Sequence, residues 1–130
     1  MPWVLVTGGA ARLGREICLA FAKAGWGVVI HYRASQQAAA ALARQLQADG
    51  VPVEQVHADL ADPSEVEALL PGLRPEVRAG LQCIVHNASE FVEDDGWTYT
   101  PERLLRHLQT NLLAPLRLTQ AFAVQVRQRA

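Results

Sequence analysis

The sequence predicts an α/β fold, a doubly wound parallel sheet with helices on both faces, from three observations. Short apolar runs alternate along the chain with longer segments of helical periodicity. The apolar runs are almost continuous, which is typical of parallel strands buried on both faces. A glycine-rich loop, TGGAARLG, follows the first apolar run and leads into the first helical segment.

The predicted elements alternate in the order β-α-β-α-β-α-β-α. The first run, WVLVT, precedes a helix in which Leu13, Ile17, Phe21 and Ala24 share one face. The third strand is the weakest prediction, because it contains a proline and several polar residues. The four predicted strands cover residues 3–7, 27–32, 51–58 and 81–88.

Capping signals mark where the later helices begin. Asp62 and Thr100 each precede a proline, which is the preferred order of an N-cap and a first helical residue. Glu65 is placed to complete a capping box with Asp62, and Ser35 is a candidate cap for a helix over 35–50. The last helix is predicted to run from Thr100 without interruption almost to the end of the chain.

The order of these elements also predicts the topology. Because crossovers between parallel strands are right-handed, the four strands should form a sheet of order 3-2-1-4, an incomplete Rossmann-type sheet. The 130 residues suffice for one dinucleotide-binding domain, 1–130. Ligands of such sheets bind outside the carboxyl ends of the strands, so the site is expected in the loops that follow them.

Composition argues against several other classes of function. The net charge of −1 gives no field that would draw the chain to nucleic acid or to a membrane. No run approaches the roughly 18 apolar residues of a membrane span. Cys18 and Cys83 have no CxxC spacing and are interpreted as buried thiols of a cytoplasmic protein.

Two polar clusters are interpreted as unrelated to the site. His31, His57 and His86 fall at strand ends, but the predicted strand order places the first strand between His86 and the other two, so no metal site is expected. The acidic run 93–95 is interpreted as a solvated loop.

The glycine-rich loop is a candidate phosphate site. Gly8 permits a tight turn, Gly14 permits close helix packing, and the helix N-terminus offers free N–H groups to a pyrophosphate. Arg12 would add a fixed positive charge beside the phosphates. The alternative is a plain glycine-rich turn between a strand and a helix.

The end of the second strand indicates which dinucleotide is bound. NAD sites usually place a carboxylate here, whereas this strand ends in HYRAS. Arg33 offers a planar charged group and Ser35 a hydroxyl, which together favour a 2′-phosphate and hence NADP(H). The alternative is that Arg33 is a solvated loop residue.

Polar residues also follow the third and fourth strands. Asp59 could accept a hydrogen bond from the adenine amine, or it could cap the next helix. Asn87, Ala88 and Ser89 would lie at the carboxyl edge of the sheet beside the first strand. Asn87 could also tie two strand ends together, a role compatible with cofactor contact.

The stretches TGGAARLG, HYRAS, ADL, HNAS and QTNLLAPL, in this order, resemble the short-chain dehydrogenase/reductase family over the whole chain. More narrowly, the chain resembles the pteridine reductase branch. That branch also carries an arginine in the glycine loop, as at Arg12, and histidine and tyrosine after the second strand. Ser89 and Phe91 match its serine and phenylalanine after the fourth strand. The resemblance implies an NADP(H)-dependent oxidoreductase that acts on a small molecule such as a pterin or dihydrofolate.

The resemblance also implies a role for each matched residue. Ser89 and Phe91 would contact the pterin, the phenyl ring by stacking, and Asn111 would support the family's proton relay. Independently, Asn111 lies in an apolar helical stretch and needs a partner there, since an unpaired buried amide costs about 1–3 kcal/mol. The residues assigned to NADP(H) are Gly8, Arg12, Leu13, Gly14, Tyr32, Arg33, Ser35, Asp59, Leu60, Asn87 and Ala88.

One part of the family pattern is missing. The family uses a tyrosine followed four residues later by a lysine, and this pair follows the helix asparagine. Here Tyr32 is followed by Gln36 and Tyr99 by Arg103, and both tyrosines precede Asn111. The sequence is therefore predicted to be the amino-terminal half of an enzyme. This half would end before the catalytic pair and would be inactive alone.

The last predicted helix is unusually apolar. We therefore expect a homo-oligomer, a dimer or tetramer, that forms through this helix, or a carboxyl-terminal piece that covers it. Two alternatives to a pterin reductase remain open: a non-catalytic NADP-binding module, and a reductase of another carbonyl such as a 3-oxoacyl thioester or a sugar. The apolar residues of this helix are Leu104, Leu105, Leu108, Leu112, Leu116 and Phe122.

Overall fold

The computed structural model describes residues 1–93 and 95–129 of the chain. A parallel sheet of four strands has the order β3-β2-β1-β4, which confirms the predicted topology. The strands are β1 (Trp3–Val6), β2 (Gly27–Tyr32), β3 (Val53–His57) and β4 (Leu81–Val85). The helices are α1 (Arg12–Lys23), α2 (Gln36–Ala48), α3 (Pro63–Leu69), α4 (Pro75–Gly80), α5 (Pro101–Leu108) and α6 (Ala114–Arg129), with a π-helical segment (Gln109–Leu113) between α5 and α6.

The central strand β1 is buried on both faces. Trp3 and Leu5 pack into a core that includes α3, α4 and α6, while Val4 and Val6 pack into a second core with α1 and α2. This two-sided burial explains why the first apolar run of the sequence is continuous rather than alternating.

Two features of the helices were not predicted. The short helix α4 begins at Pro75 and precedes β4 directly. The last helical region is interrupted by the π segment, just before Pro115. Proline has no N–H group, and its ring would clash with the carbonyl of Asn111 in a regular α-helix, so the wider π turn accommodates it.

Two of the predicted caps are present and two predictions are wrong. Asp62 accepts a hydrogen bond from Ser64 N at 2.9 Å, and Thr100 caps α5 in the same way. Ser35 stands at the N-cap of α2 but makes no side-chain cap bond. Glu65 forms no capping box, because it accepts from Asp59 N instead, while the N–H of Asp62 donates to the Asp59 carbonyl at 2.9 Å.

Burial refines several other predictions. Cys18 is buried and Cys83 is only partly buried, and both are free thiols. Six leucines of the described α5–α6 region are exposed, among them the five that the sequence analysis named, whereas Phe122 packs against the core. Residues 93 and 95 of the acidic run are exposed, and Asp94 lies outside the described residues. Within the described ranges, no helix has the length and apolar character needed to cross a membrane.

The difference between Thr100 and Ser35 gives a testable prediction. Thr100→Ala removes the bond to Arg103 N, which is 3.2 Å long, and should lower the free energy of unfolding by about 1 kcal/mol. Ser35→Ala removes no cap bond and should change it by less than about 0.5 kcal/mol. Urea titrations of both variants measure the difference, and equal losses would contradict the assignment of the caps.

Candidate functional site

An open cleft of about 470 Å³ lies at the carboxyl ends of the strands. It contains every predicted site residue except Gly14, Phe91 and Asn111. The lining residues are Gly8, Ala10, Ala11, Arg12, Leu13, His31, Tyr32, Arg33, Ala34, Ser35, Ala58, Asp59, Leu60, Asn87, Ala88, Ser89, Glu90 and Thr110.

The glycine loop brings the start of α1 against the end of β1. Gly8 has a φ of +62°, in the left-handed region that favours glycine. A Cβ atom on Gly14 would overlap the carbonyl oxygen of Gly8 and would lie 2.7 Å from Asn87 Nδ2. Gly14 therefore does not line the cleft, but it permits the close packing that shapes it.

Arg12 holds a strained backbone conformation in this loop. Its φ of +53° is also left-handed, which costs an L-residue about 1–2 kcal/mol. Its side chain is exposed at the cleft. Strain of this kind is often found at binding sites.

The helices that begin at the cleft have no side-chain caps. Ala11 is the N-cap of α1 and makes no cap bond, and Ser35 makes none at α2. The first N–H groups of a helix lack intrahelical partners and carry partial positive charge. Two helix ends that suit an anion therefore meet the same cleft.

His31 holds the glycine loop in place from β2. Its Nδ1 accepts a hydrogen bond from Gly8 N at 2.9 Å, so its Nε2 carries the proton and donates to the carbonyl of Ala58, also at 2.9 Å. Burial lowers the pKa of His31, and the charge of His57 lowers it further, while the bond to Ala58 acts in the opposite direction. The buried imidazole is therefore neutral.

Thr7 and Asn87 join the ends of β1 and β4. The amide of Asn87 donates to the carbonyls of Thr7 and Gly8 at 3.2 and 3.1 Å. The hydroxyl of Thr7 accepts from the backbone N–H groups of Asn87 and Ala88, each at 3.0 Å. Asn87 therefore ties the strand ends, as the sequence suggested. Thr7 was not predicted, although its position directly before Gly8 was a usable signal.

A charge cluster is defined here as Arg33, Asp59, Glu90 and Arg106, of which all but Arg106 line the cleft. Arg106 Nε donates to Glu90 Oε1 at 2.6 Å, and Arg106 Nη2 lies 3.4 Å from Asp59 Oδ1. Arg33 lies 3.9 Å from Asp59 and 3.8 Å from Glu90. Thr110 donates to Glu90 Oε2 at 3.2 Å. Of these four residues, the sequence analysis assigned only Arg33 and Asp59 to the site.

Asn111 lies beside this cluster and not in the cleft lining. Its Oδ1 accepts from Glu90 N at 2.8 Å, and its Nδ2 donates to the Glu90 carbonyl at 2.9 Å. The amide is therefore paired, as expected, but Asn111 is exposed rather than buried. The expectation of burial was wrong because the apolar residues around Asn111 face outward.

The remaining predicted residues occupy different surroundings. Leu60 is buried at the cleft and Ser89 is exposed on its rim. Asp59 does not cap α3; its Oδ1 accepts from Ala61 N at 3.0 Å. Phe91 does not line the cleft, and 84% of it is exposed.

The histidines at the strand ends have separate partners. His57 lies 4.0 Å from Glu65, and the ring of His86 is 2.9 Å from the hydroxyl of Thr119. Among the residues that the structure describes, no group of three or more His, Cys, Asp or Glu side chains could hold a metal ion.

The neutral state of His31 predicts a loss of stability in acid. Because its pKa is lowered in the folded chain, the unfolded chain takes up the proton first, and stability falls as the pH drops through the ordinary value of about 6.5. In urea titrations between about pH 8 and pH 5, we expect the stability of His31→Asn to depend less on pH than that of the unmodified chain.

The unmodified chain is the reference for this titration. The same slope in both proteins would contradict a neutral, buried His31.

Comparison with known proteins places the chain in a family. The model of the short chain dehydrogenase family matches residues 2–130. The 3-oxoacyl-acyl-carrier-protein reductase FabG of Staphylococcus aureus is 33% identical over 84 residues, 65% of this chain and 34% of that protein. The 30% identical short-chain dehydrogenase from Sphingobium yanoikuyae, in complex with NADPH, aligns with a TM-score of 0.87 over 99% of this chain and 50% of that chain.

A third relative is FolM alternative dihydrofolate reductase 1 from Brucella suis in complex with NADP. It is 32% identical, with a TM-score of 0.84 over 93% of this chain and 50% of that chain. The chain thus spans about a third of the Staphylococcus aureus protein and half of each of the two solved chains. From the match over residues 2–130, the chain belongs to the short-chain dehydrogenase family.

Proposed function

We propose that the cleft binds NADP(H) and that the chain is the cofactor-binding half of a short-chain oxidoreductase. One observation carries the proposal: the uncapped end of α1, packed against Gly8, shares a cleft with Arg33. A helix N-terminus suits a pyrophosphate, and a guanidinium suits a 2′-phosphate. The NADP(H) complexes of the two solved relatives support it.

The residues of the cleft fit such a cofactor. Arg12 and the first turn of α1 would hold the pyrophosphate, and Arg33 with Ser35 would hold the 2′-phosphate. Asp59 and Leu60 would border the adenine. The cofactor supplies a hydride to the substrate when it is bound. The contribution of these residues is to bind and orient the cofactor.

The bonds around Asn87 and Asn111 keep the site in shape. Asn87 fixes the loop that would carry the cofactor, and Asn111 fixes the backbone of Glu90. Neither Tyr32 nor Tyr99 is followed by a lysine at the family spacing. We propose that a tyrosine and lysine outside residues 1–130 supply the proton.

For the substrate, we propose a pterin or dihydrofolate-like molecule. The similarity to FolM and the match of Arg12, Ser89 and Phe91 to the pteridine reductase pattern support this class. A 3-oxoacyl thioester is the second candidate, supported by the similarity to FabG. The absence of the tyrosine–lysine pair from residues 1–130 supports a third, a non-catalytic NADP-binding module.

We also propose that the protein works in the cytoplasm as a homo-oligomer. The exposed leucines of α5, the π segment and α6 form the apolar face through which subunits would associate. Analytical ultracentrifugation measures the oligomeric state directly, and a monomer would contradict the proposed association.

Steady-state assays separate the candidate functions. NADPH oxidation by the full-length protein that contains residues 1–130 is followed with dihydrofolate, a dihydropterin and acetoacetyl-coenzyme A. Turnover restricted to the first two supports the pterin proposal, and turnover restricted to the thioester contradicts it. NADPH binding without turnover of any substrate indicates the non-catalytic module.

The role of Arg33 predicts a change in cofactor preference. Arg33→Ala should weaken NADPH binding by about tenfold or more, the loss of a charge-assisted hydrogen bond, and should leave NADH binding within about twofold. Fluorescence titration measures both. Arg44→Ala removes an exposed arginine of α2 outside the cleft and should change neither. An equal loss for both cofactors in Arg33→Ala would contradict 2′-phosphate recognition.

The strained backbone of Arg12 allows its charge to be tested separately from its conformation. Arg12→Gly should relieve the strain and raise the free energy of unfolding by about 1 kcal/mol, whereas Arg12→Ala should not. Both variants lose the charge, so both should bind NADPH or substrate more weakly. Unchanged binding and kinetics in both would reduce Arg12 to a surface charge.

A further inference from the structure

Glu90 is the most firmly held member of the charge cluster. One carboxylate oxygen accepts from Arg106 at 2.6 Å and the other accepts from Thr110 at 3.2 Å. The two bonds from Asn111 hold its backbone. Only 16% of its side chain is exposed. With two bonds to its carboxylate and two to its backbone, this largely covered side chain keeps a fixed position in the cleft wall.

Arg33 is held much more loosely by the same cluster. Its guanidinium is 3.8 Å from Glu90 and 3.9 Å from Asp59, beyond the roughly 2.7–3.2 Å of an N–H···O hydrogen bond. More than half of its side chain is exposed. The two carboxylates therefore attract Arg33 without fixing it, and the cluster contains two positive and two negative groups.

We infer that Glu90 is a specificity-determining residue that limits how strongly the cleft prefers a 2′-phosphate over a 2′-hydroxyl. This inference rests on the proposed function, in which Arg33 binds the 2′-phosphate. A phosphate that approaches Arg33 competes with the Glu90 carboxylate for the guanidinium and is repelled by the same charge. A 2′-hydroxyl carries no charge and meets neither effect.

The preference for a 2′-phosphate is measured with two compounds that represent the adenosine half of the cofactor, 2′,5′-ADP and 5′-AMP. The ratio of their dissociation constants, by calorimetry on the purified chain, isolates the 2′-phosphate from the nicotinamide and from turnover. Glu90→Gln keeps the shape and the acceptor oxygen of the side chain while removing its charge. We expect it to raise the preference for 2′,5′-ADP by about fivefold, the effect of a partly exposed ion pair.

Glu93→Gln is the matched control, because it removes the same charge from an exposed residue of the same loop that does not line the cleft. It should leave the ratio unchanged. In an Arg33→Ala background, Glu90→Gln should raise the ratio by a smaller factor, since only the repulsion between Glu90 and the phosphate remains. A merely structural role for Glu90 would weaken both probes equally.

The outcomes distinguish this inference from the proposed function. An unmodified chain that does not prefer 2′,5′-ADP contradicts the proposed function. A chain that prefers it, but whose ratio in Glu90→Gln equals that of Glu93→Gln, overturns only the inference about Glu90. If Glu90→Gln does not fold, Glu90→Asp draws the carboxylate away from Arg33 and should raise the ratio by a smaller factor; an unchanged or lower ratio overturns the inference.

Discussion

The contact between Gly14 of α1 and the carbonyl of Gly8 determines the shape of the cleft. Any larger side chain at position 14 would overlap that oxygen, and overpacking of this kind costs roughly 1–3 kcal/mol. The bonds from His31 and Asn87 hold the same turn from the neighbouring strands. The loop is thus fixed from both sides before any ligand binds, which reduces the entropy cost of binding.

Three of the described α-helices, α1, α2 and α4, have no side-chain cap, and two of these, α1 and α2, begin at the cleft. The helices that begin away from the cleft at Asp62 and Thr100 satisfy their first N–H groups with side-chain oxygens. Those that begin at the cleft, after Ala11 and Ser35, do not. Capping stabilises a helix by about 1 kcal/mol, so the uncapped ends forgo stability and keep donors available to an anion.

The sequence predicted the sheet order and most of the cleft, because alternating periods and strand-end residues are local signals. It did not predict the π segment, which follows from how Pro115 is accommodated in a helix that otherwise continues. It also missed Glu90 and Arg106, which are 16 residues apart and meet only through tertiary packing. The predicted burial of Asn111 was wrong for a related reason, since an apolar stretch of sequence does not reveal which face of its helix the rest of the fold covers.

Amide chemical shifts during an NADPH titration test most directly whether this cleft is the dinucleotide site. The largest changes should fall on the backbone N–H groups of residues 8–14 and on Tyr32 and Arg33, with the exposed face of α5 and α6 unaffected. Changes that centre on that helical face, or a spectrum that NADPH leaves unaltered, would contradict the assignment of the cleft.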